Sequence, residues 1–576
     1  MTERLRVTWV QPEDLLGHEL RQASEDGRDA TAQAATWRAS GGRPSPPRAG
    51  ASAPPAPPAL RALALALLDE LAELPGRLAE REPTSLAEIT RACGDDWPAA
   101  RCGPESQRPA GPPPAASGNH ASPTTAPQTS AGTSQAPRAP AGPGNQAPPT
   151  TAPRNVPHDP LNAATQAPPR AGASAPRPPE APDSAGSDAH PPPGPAPHAP
   201  DGADVSWGSG GSPPVSGRGG AGAQTPLSTH QSHAAWLGRA VGCLLGRPVE
   251  KLPLHAIRAL ARATGNWPLD TWFTAGGVPA DLAAAHPWNR RSAVNSLAEN
   301  IDGMPEDDDL NYPLLNVLLL QRYGRDFRTC DVALLWLDEL PAGRTFTAER
   351  VAYRNLLSGI EPPGTARHHN PFREWIGAAI RADVHGWTHP GDPASAAAQA
   401  YRDATLTHTA NGVYGAMFVA GTIAAAGVGG ADVHASLRAG LSVVPPRSRL
   451  ARAVRHAIQL ARAHTDFDTV VDQLHAAHGH YHWVHAVPNA ALLAAALTHA
   501  DGDFTGSICR AVSGGWDTDS NGATAGSVAG LLAGHPDRLP ERWTAPLKNR
   551  LATSVVGFDG IGFDELARLT QEALRP

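Results

Sequence analysis

From His233 to the end of the chain, apolar residues recur three and four positions apart, the spacing that puts them on one face of a helix. ADLAAAH (280–286), YPLLNVLLLQRYG (312–324), DVALLWLDEL (331–340), GVYGAMFVAGTIAAAG (412–427), LARAVRHAIQLARAH (450–464), NAALLAAALTHA (489–500) and NGATAGSVAGLLAG (521–534) all show it. Gly or Pro separates several of these segments, and alternating strand-like runs are almost absent. The pattern predicts one all-α domain over 233–576, with many Ala and Gly residues that let helices approach closely.

The first hundred residues carry a weaker version of the same pattern. Val7, Trp9 and Val10 alternate as a short strand would. Pro12, Glu13 and Asp14 then form a helix start, with acids near the positive helix end, and Leu15, Leu16 and Leu20 continue an amphipathic helix. Leu60, Leu63, Leu67, Leu68, Leu71 and Leu74 share the face of a second helix, which Pro75-Gly76 stops. That face needs cover. The N-terminal helices are expected either to dock on the C-terminal domain or to bind an unknown protein.

Composition divides the chain. Most of the 61 Pro residues crowd between Arg43 and Val215, in a stretch too poor in large apolar side chains to bury a core. Residues 103–232 are therefore expected to be a disordered Pro/Ala/Gly-rich linker, between an N-terminal helical segment (1–102) and the domain. PxxP matches in it follow from the composition, and a spacer accounts for them.

The net charge of −7 argues against a nucleic-acid partner. No apolar run opens the chain and none is about 20 residues long, so neither a signal peptide nor a membrane span is expected, and a cytoplasmic location is the default. The five Cys (Cys93, Cys102, Cys243, Cys330, Cys509) form no CxxC pair, which argues against a disulfide framework or a zinc knuckle.

Two acidic knots could carry chemistry. Pro305-Glu306-Asp307-Asp308-Asp309 and Gly514-Gly515-Trp516-Asp517-Thr518-Asp519-Ser520-Asn521 each precede an apolar helix, where the helix end stabilises negative charge. Asp309 or Ser520 could be an ordinary N-cap, but a cap needs one acid and not three in a row. Should the knots meet, their carboxylates would repel one another unless cations lay between them. Hard oxygen ligands of this kind suit Mg2+ or Mn2+ and not zinc.

With these motifs in view, residues 230–535 resemble the ADP-ribosylglycohydrolase family, all-α enzymes that include dinitrogenase-reductase-activating glycohydrolase and the arginine and serine ADP-ribosylhydrolases. Gly514 to Gly526 resembles the family's GGDTDT signature, with Trp516 inserted, and the acidic run resembles its TDD motif. GRAVGCLLGRPVE (Gly238 to Glu250) is similar to its opening helix and G-x-P-x-E turn. NPFREWIGAAIRADVHG (370–386), DATLTHTANGVYG (403–415) and VPNAALLAAAL before DGDF follow in the family's order.

The resemblance implies a single large orthogonal helical domain and two Mg2+ ions, with Mn2+ as the alternative. Asp307, Asp308, Asp309, Asp517, Asp519 and Ser520 would be the ligands. A register one residue earlier would use Glu306, Asp307 and Asp308. The later register is preferred because it puts Tyr312 and Leu314 on the family's apolar positions. Glu250 would be the acid/base group. Gly377 to Arg381 would open a helix toward a diphosphate, although small residues there also suit plain packing. His408 would line the ribose pocket, or simply be packed. Cys243 stands where the family often has Asp and reads as a buried structural thiol.

The implied activity is hydrolysis of the glycosidic bond between ADP-ribose and a protein side chain or small-molecule acceptor. A non-catalytic ADP-ribose-binding module is one alternative; a hydrolase of another ribosylated compound is the other. The His cluster from His475 to His485 keeps no single helical face and has no nearby acid or thiol, so it reads as loop and surface.

Overall fold

Two helices cross at the centre of the domain with almost no side chain between them. One, α5, spans Thr229–Gly246; the other, α11, spans Thr518–Ala533. A Cβ added at Gly242 would lie 1.8 Å from the Gly522 carbonyl oxygen, and one at Gly526 would lie 1.9 Å from that of Gly238. Only glycine permits this approach. Its consequence is functional: the turn after α5 and the first turn of α11 are pressed into one place.

The computed structural model describes residues 10–43, 46, 49–52, 56–98 and 226–573. Among them there is no strand, only the isolated bridges Met304–Leu551, Trp375–His485 and Leu551–Ile561. The remaining helices used below are α1 (Pro12–Glu25), α2 (Thr31–Ala39), α3 (Pro58–Ala72), α4 (Leu86–Cys93), α6 (Asp308–Tyr323), α7 (Ala410–Ala426), α8 (Arg449–Ala463), α9 (Ala486–Ala500) and α10 (Phe504–Ser513). Each segment that the periodicity predicts from 233 onward is helical. The domain starts slightly earlier than composition suggests, because Ser228 caps α5 and Ser232 lies inside it. No helix among the described residues is long and apolar enough to cross a membrane.

The N-terminal helices are continuous with this body. Leu15, Leu16, Leu67, Leu68, Leu71 and Ile89 belong to the same buried core as the C-terminal helices. Helices α1 and α3 match the predicted elements; α2 and α4, too short to show a clear period, complete the segment. Of the expected strand, Val7 and Trp9 lie outside the described residues, as do residues 103–225 of the expected linker (103–232).

The His cluster needs correction. His475 and His478 end the helix Phe467–His478, His485 is the fully buried N-cap of α9, and His482 stacks on Trp375 at 4.1 Å between ring centroids. His480 is exposed, as expected, and His475, His478 and His482 are half-buried, but His485 is internal, with its Nε2 3.6 Å from Glu25 of α1.

Candidate active site

The first acidic run opens α6. Asp307 is the N-cap, its Oδ1 accepting the Asp309 N–H at 3.0 Å. Its other oxygen pairs with Arg247, in the turn after α5. Asp309, 2% exposed, is therefore not the cap. Its Oδ1 takes Arg239 Nη2 at 3.2 Å, and its Oδ2 accepts from Ser520 Oγ at 3.3 Å. That last bond joins the two acidic knots. Glu306 pairs instead with Arg344 at 3.0 Å, on the exposed side of the run.

The second run opens α11. Asp517 is the N-cap position but makes no side-chain cap bond. Ser520 is likewise not the cap. The Asp517 N–H is taken by Asn489 Oδ1 at 3.1 Å, which also accepts from Asn521 Nδ2 at 2.7 Å. Asn489 is fully buried on α9 and donates to the carbonyls of Trp483 and His485. Trp516, inserted before Asp517, takes φ +53° and stacks flat on His475 at 3.9 Å. The His475 ring is anchored to the Gly514 carbonyl at 2.8 Å.

Glu250 follows the turn Arg247–Val249. Its two oxygens accept from Asn289 Nδ2 and Lys251 Nζ, each at 2.5 Å. The fields of these groups overlap. Burial and then Asp307, Asp519 and Glu250 push Asp308 well above the carboxylate range. Burial and then Asp519 and Glu250 do the same to Asp517. Asp519 is pushed up to about 7 by burial, then by Glu250 and Asp307.

Six carboxylates thus crowd together, and among the described residues Arg239, Arg247 and Lys251 pair with them; this donor set fits hard divalent cations. Cys243 Sγ and one oxygen each from Asp307 and Asp309 lie within 4.8 Å of one another. Burial, reinforced by Asp307 and Asp309, pushes the Cys243 thiol well up.

Residues 376–381 form a 3-10 turn, not the start of a long helix. A Cβ added at Gly377 would lie 2.1 Å from Glu349 Oε1, which Arg381 holds, so a side chain there would displace that carboxylate. Arg381 is fully buried. Its guanidinium is engaged by Asp403 at 2.9 and 3.0 Å, Glu349 at 2.9 Å, the Gly377 carbonyl at 3.0 Å and Thr407 Oγ1 at 2.8 Å. The expected ligand contact by this arginine is therefore not what the geometry offers. It ties the turn to the chain before α7. His408 is buried, with Nδ1 at 2.6 Å from Thr407 Oγ1 and Nε2 lacking a hydrogen-bond partner among the described residues. Burial and then Arg381 hold its pKa well below normal, so the ring is neutral.

Sequence reasoning missed Arg239, Arg247, Asn289 and Asn489. Two of them did carry a signal: Arg239 and Asn489 are isolated polar residues inside strongly apolar helices, and such residues are buried only with partners. Arg239 is bound to Asp309 O at 2.7 Å, to Asp383 at 2.8 Å and to the Ile380 carbonyl.

A family model described as ADP-ribosylglycohydrolase matches residues 226–575. A solved structure described as an ADP-ribosylglycohydrolase-related protein complex is 21% identical, covering 60% of this chain and 97% of its own, with a TM-score of 0.37. No curated protein matches the chain.

Proposed function

Because the chain belongs to the ADP-ribosylglycohydrolase family, we propose that it is a metal-dependent hydrolase that releases ADP-ribose from a modified side chain or small-molecule acceptor. The bond between Ser520 and Asp309 carries the reading, because it joins the two acidic knots in one buried pocket.

We assign Asp307, Asp308, Asp309, Asp517, Asp519 and Ser520 to two Mg2+ ions, with Mn2+ as the alternative. Bound there, the cations neutralise the pocket and template a water. Glu250 has both oxygens fixed by donors, which orients it toward a water or leaving group at C1 of the distal ribose. As C1 gains positive charge, the surrounding carboxylates stabilise it. His408, neutral and with Nε2 unused, is assigned to a ribose hydroxyl. The turn at Gly377 is assigned to the diphosphate, and Arg381 to holding that turn.

The test is ADP-ribose release from arginine-, serine- and phosphate-linked adducts, with Mg2+ or chelator, beside Asp517→Asn. Metal-dependent release lost in the variant supports the hydrolase. ADP-ribose binding with no release from any adduct would favour a binding module.

A further inference from the structure

The chain segment that leads into the Gly377 turn is clamped from behind by the N-terminal helices, and the clamp is polar. Glu374, 2% exposed, accepts from Gln22 of α1 at 2.9 Å, from Asn411 of α7 at 2.9 Å and from Arg449 of α8 at 2.8 Å. Arg449 also binds Glu82 at 2.7 Å and the Glu25 carbonyl at 3.0 Å. Arg373 reaches Glu19 at 2.8 Å and Asp26 at 2.9 Å, both near or within α1. His18 meets the rings of Phe372 and Trp375 edge-on, at 5.1 and 5.9 Å. Four consecutive residues, 372–375, are therefore each gripped by α1.

The turn begins at the next residue. Ile376 N–H donates to Val484 O at 2.9 Å, and Ala486 N–H donates to Glu374 O at 3.0 Å. Ala486 opens α9, whose Asn489 fixes the Asp517 N–H. Buried ion pairs are costly to desolvate and add little net stability over an apolar seal, but they fix relative geometry. A cover needed only to hide apolar surface would not need this network.

We propose that the N-terminal helices α1–α4 are a positioning element for the nucleotide-binding turn, with α1 and Glu82 setting the place of Glu374 and so of residues 376–381. This rests on the reading of that turn as the diphosphate seat. Supporting groups behind a binding turn act by holding it to within a fraction of an ångström.

The experiment uses the full chain with Gln22→Leu/Glu82→Leu, and with Glu82→Gln as the milder variant. Loss of the Gln22–Glu374 link and of the Glu82 links to Arg449 and Asn411 should weaken ADP-ribose binding about tenfold by calorimetry. Hydrogen exchange at residues 376–381 should quicken, while Mg2+ affinity without nucleotide should fall less than ADP-ribose affinity, since α9 links the clamp to Asp517 at one further remove. Glu82→Gln, which keeps one acceptor oxygen, should fall between the two.

Wild-type ADP-ribose affinity together with wild-type exchange in the double variant would overturn the proposal. So would equal loss of Mg2+ and ADP-ribose binding, which marks a general structural defect. If the double variant does not fold, Glu82→Gln carries the same comparison. Should the wild type bind no ADP-ribose, the functional reading fails, and the exchange data alone decide whether the clamp acts on the turn.

Discussion

The Lys251 ammonium lies 2.5 Å from Glu250 Oε1, and Lys251 holds φ at +72° to put it there. A left-handed backbone costs a side-chain-bearing residue about 1 kcal/mol, which glycine avoids. The ion pair itself is too exposed to repay that in stability. The strain therefore points to function, the orientation of Glu250.

Lys251→Gly should leave thermal stability equal or slightly higher while lowering kcat by roughly tenfold or more, the usual scale for losing a group that orients a reactive one. Turnover and unfolding measured on the same preparation check this. An unchanged kcat would remove Lys251 from the site.

Asp517 makes the opposite trade. It is buried among Asp519, Glu250 and Asp309, which raise its pKa after burial itself. In chelator, Asp517→Asn should be more stable than the wild type, because Asn needs neither a buried charge nor the proton uptake that avoids one. With Mg2+ the order should reverse, because binding to the folded state stabilises only a protein that still binds. Thermal unfolding with and without Mg2+ reads both halves. A wild-type-sized Mg2+ shift in Asp517→Asn would exclude Asp517 as a ligand.

The crossing of α5 and α11 gives a third prediction. At Gly246 an added Cβ would lie 2.3 Å from the Thr518 carbonyl oxygen, beside the first turn of α11. Gly246→Ala should destabilise the fold by roughly 1–3 kcal/mol, the range for overpacking, and weaken Mg2+ binding as α11 shifts. Urea unfolding and metal titration test it. Loss of stability with unchanged Mg2+ affinity would separate the crossing from the site.

Most of the helices and both acidic knots were legible because they are local: a 3.6-residue period and adjacent acids are visible in a short window. Partnerships were not. Arg381 read as a ligand-binding arginine, since nothing near it announces Asp403 or Glu349. Arg239 meets Asp309 and Asp383 across long stretches of chain that only the fold closes. His485 read as surface because its cluster keeps no helical face and has no acid nearby in sequence, whereas the fold brings Glu25 of α1 to 3.6 Å from it. The polar grip of α1 uses Gln22, Glu19 and Asp26, residue types common on exposed helices.

The N-terminal clamp carries its own pH signature. Glu25 is buried against Glu374, Arg449, Arg21, Asp26 and His485, whose Nε2 lies 3.6 Å from its carboxylate. Burial and then the charge of Glu374 push Glu25 up to about 8, from 4.5. Its pKa is higher folded than unfolded, so its contribution is complete below the unfolded value and is lost as pH rises through the folded one. Burial holds His485 near 3, so it is neutral over this range and does not mask the effect. Glu25→Gln is neutral at every pH. From about pH 5 to about pH 9 the wild type should lose roughly a few kcal/mol relative to Glu25→Gln. Urea unfolding across that range measures it. Parallel curves would mean that Glu25 ionises freely and that the end of α1 is not buried against Glu374.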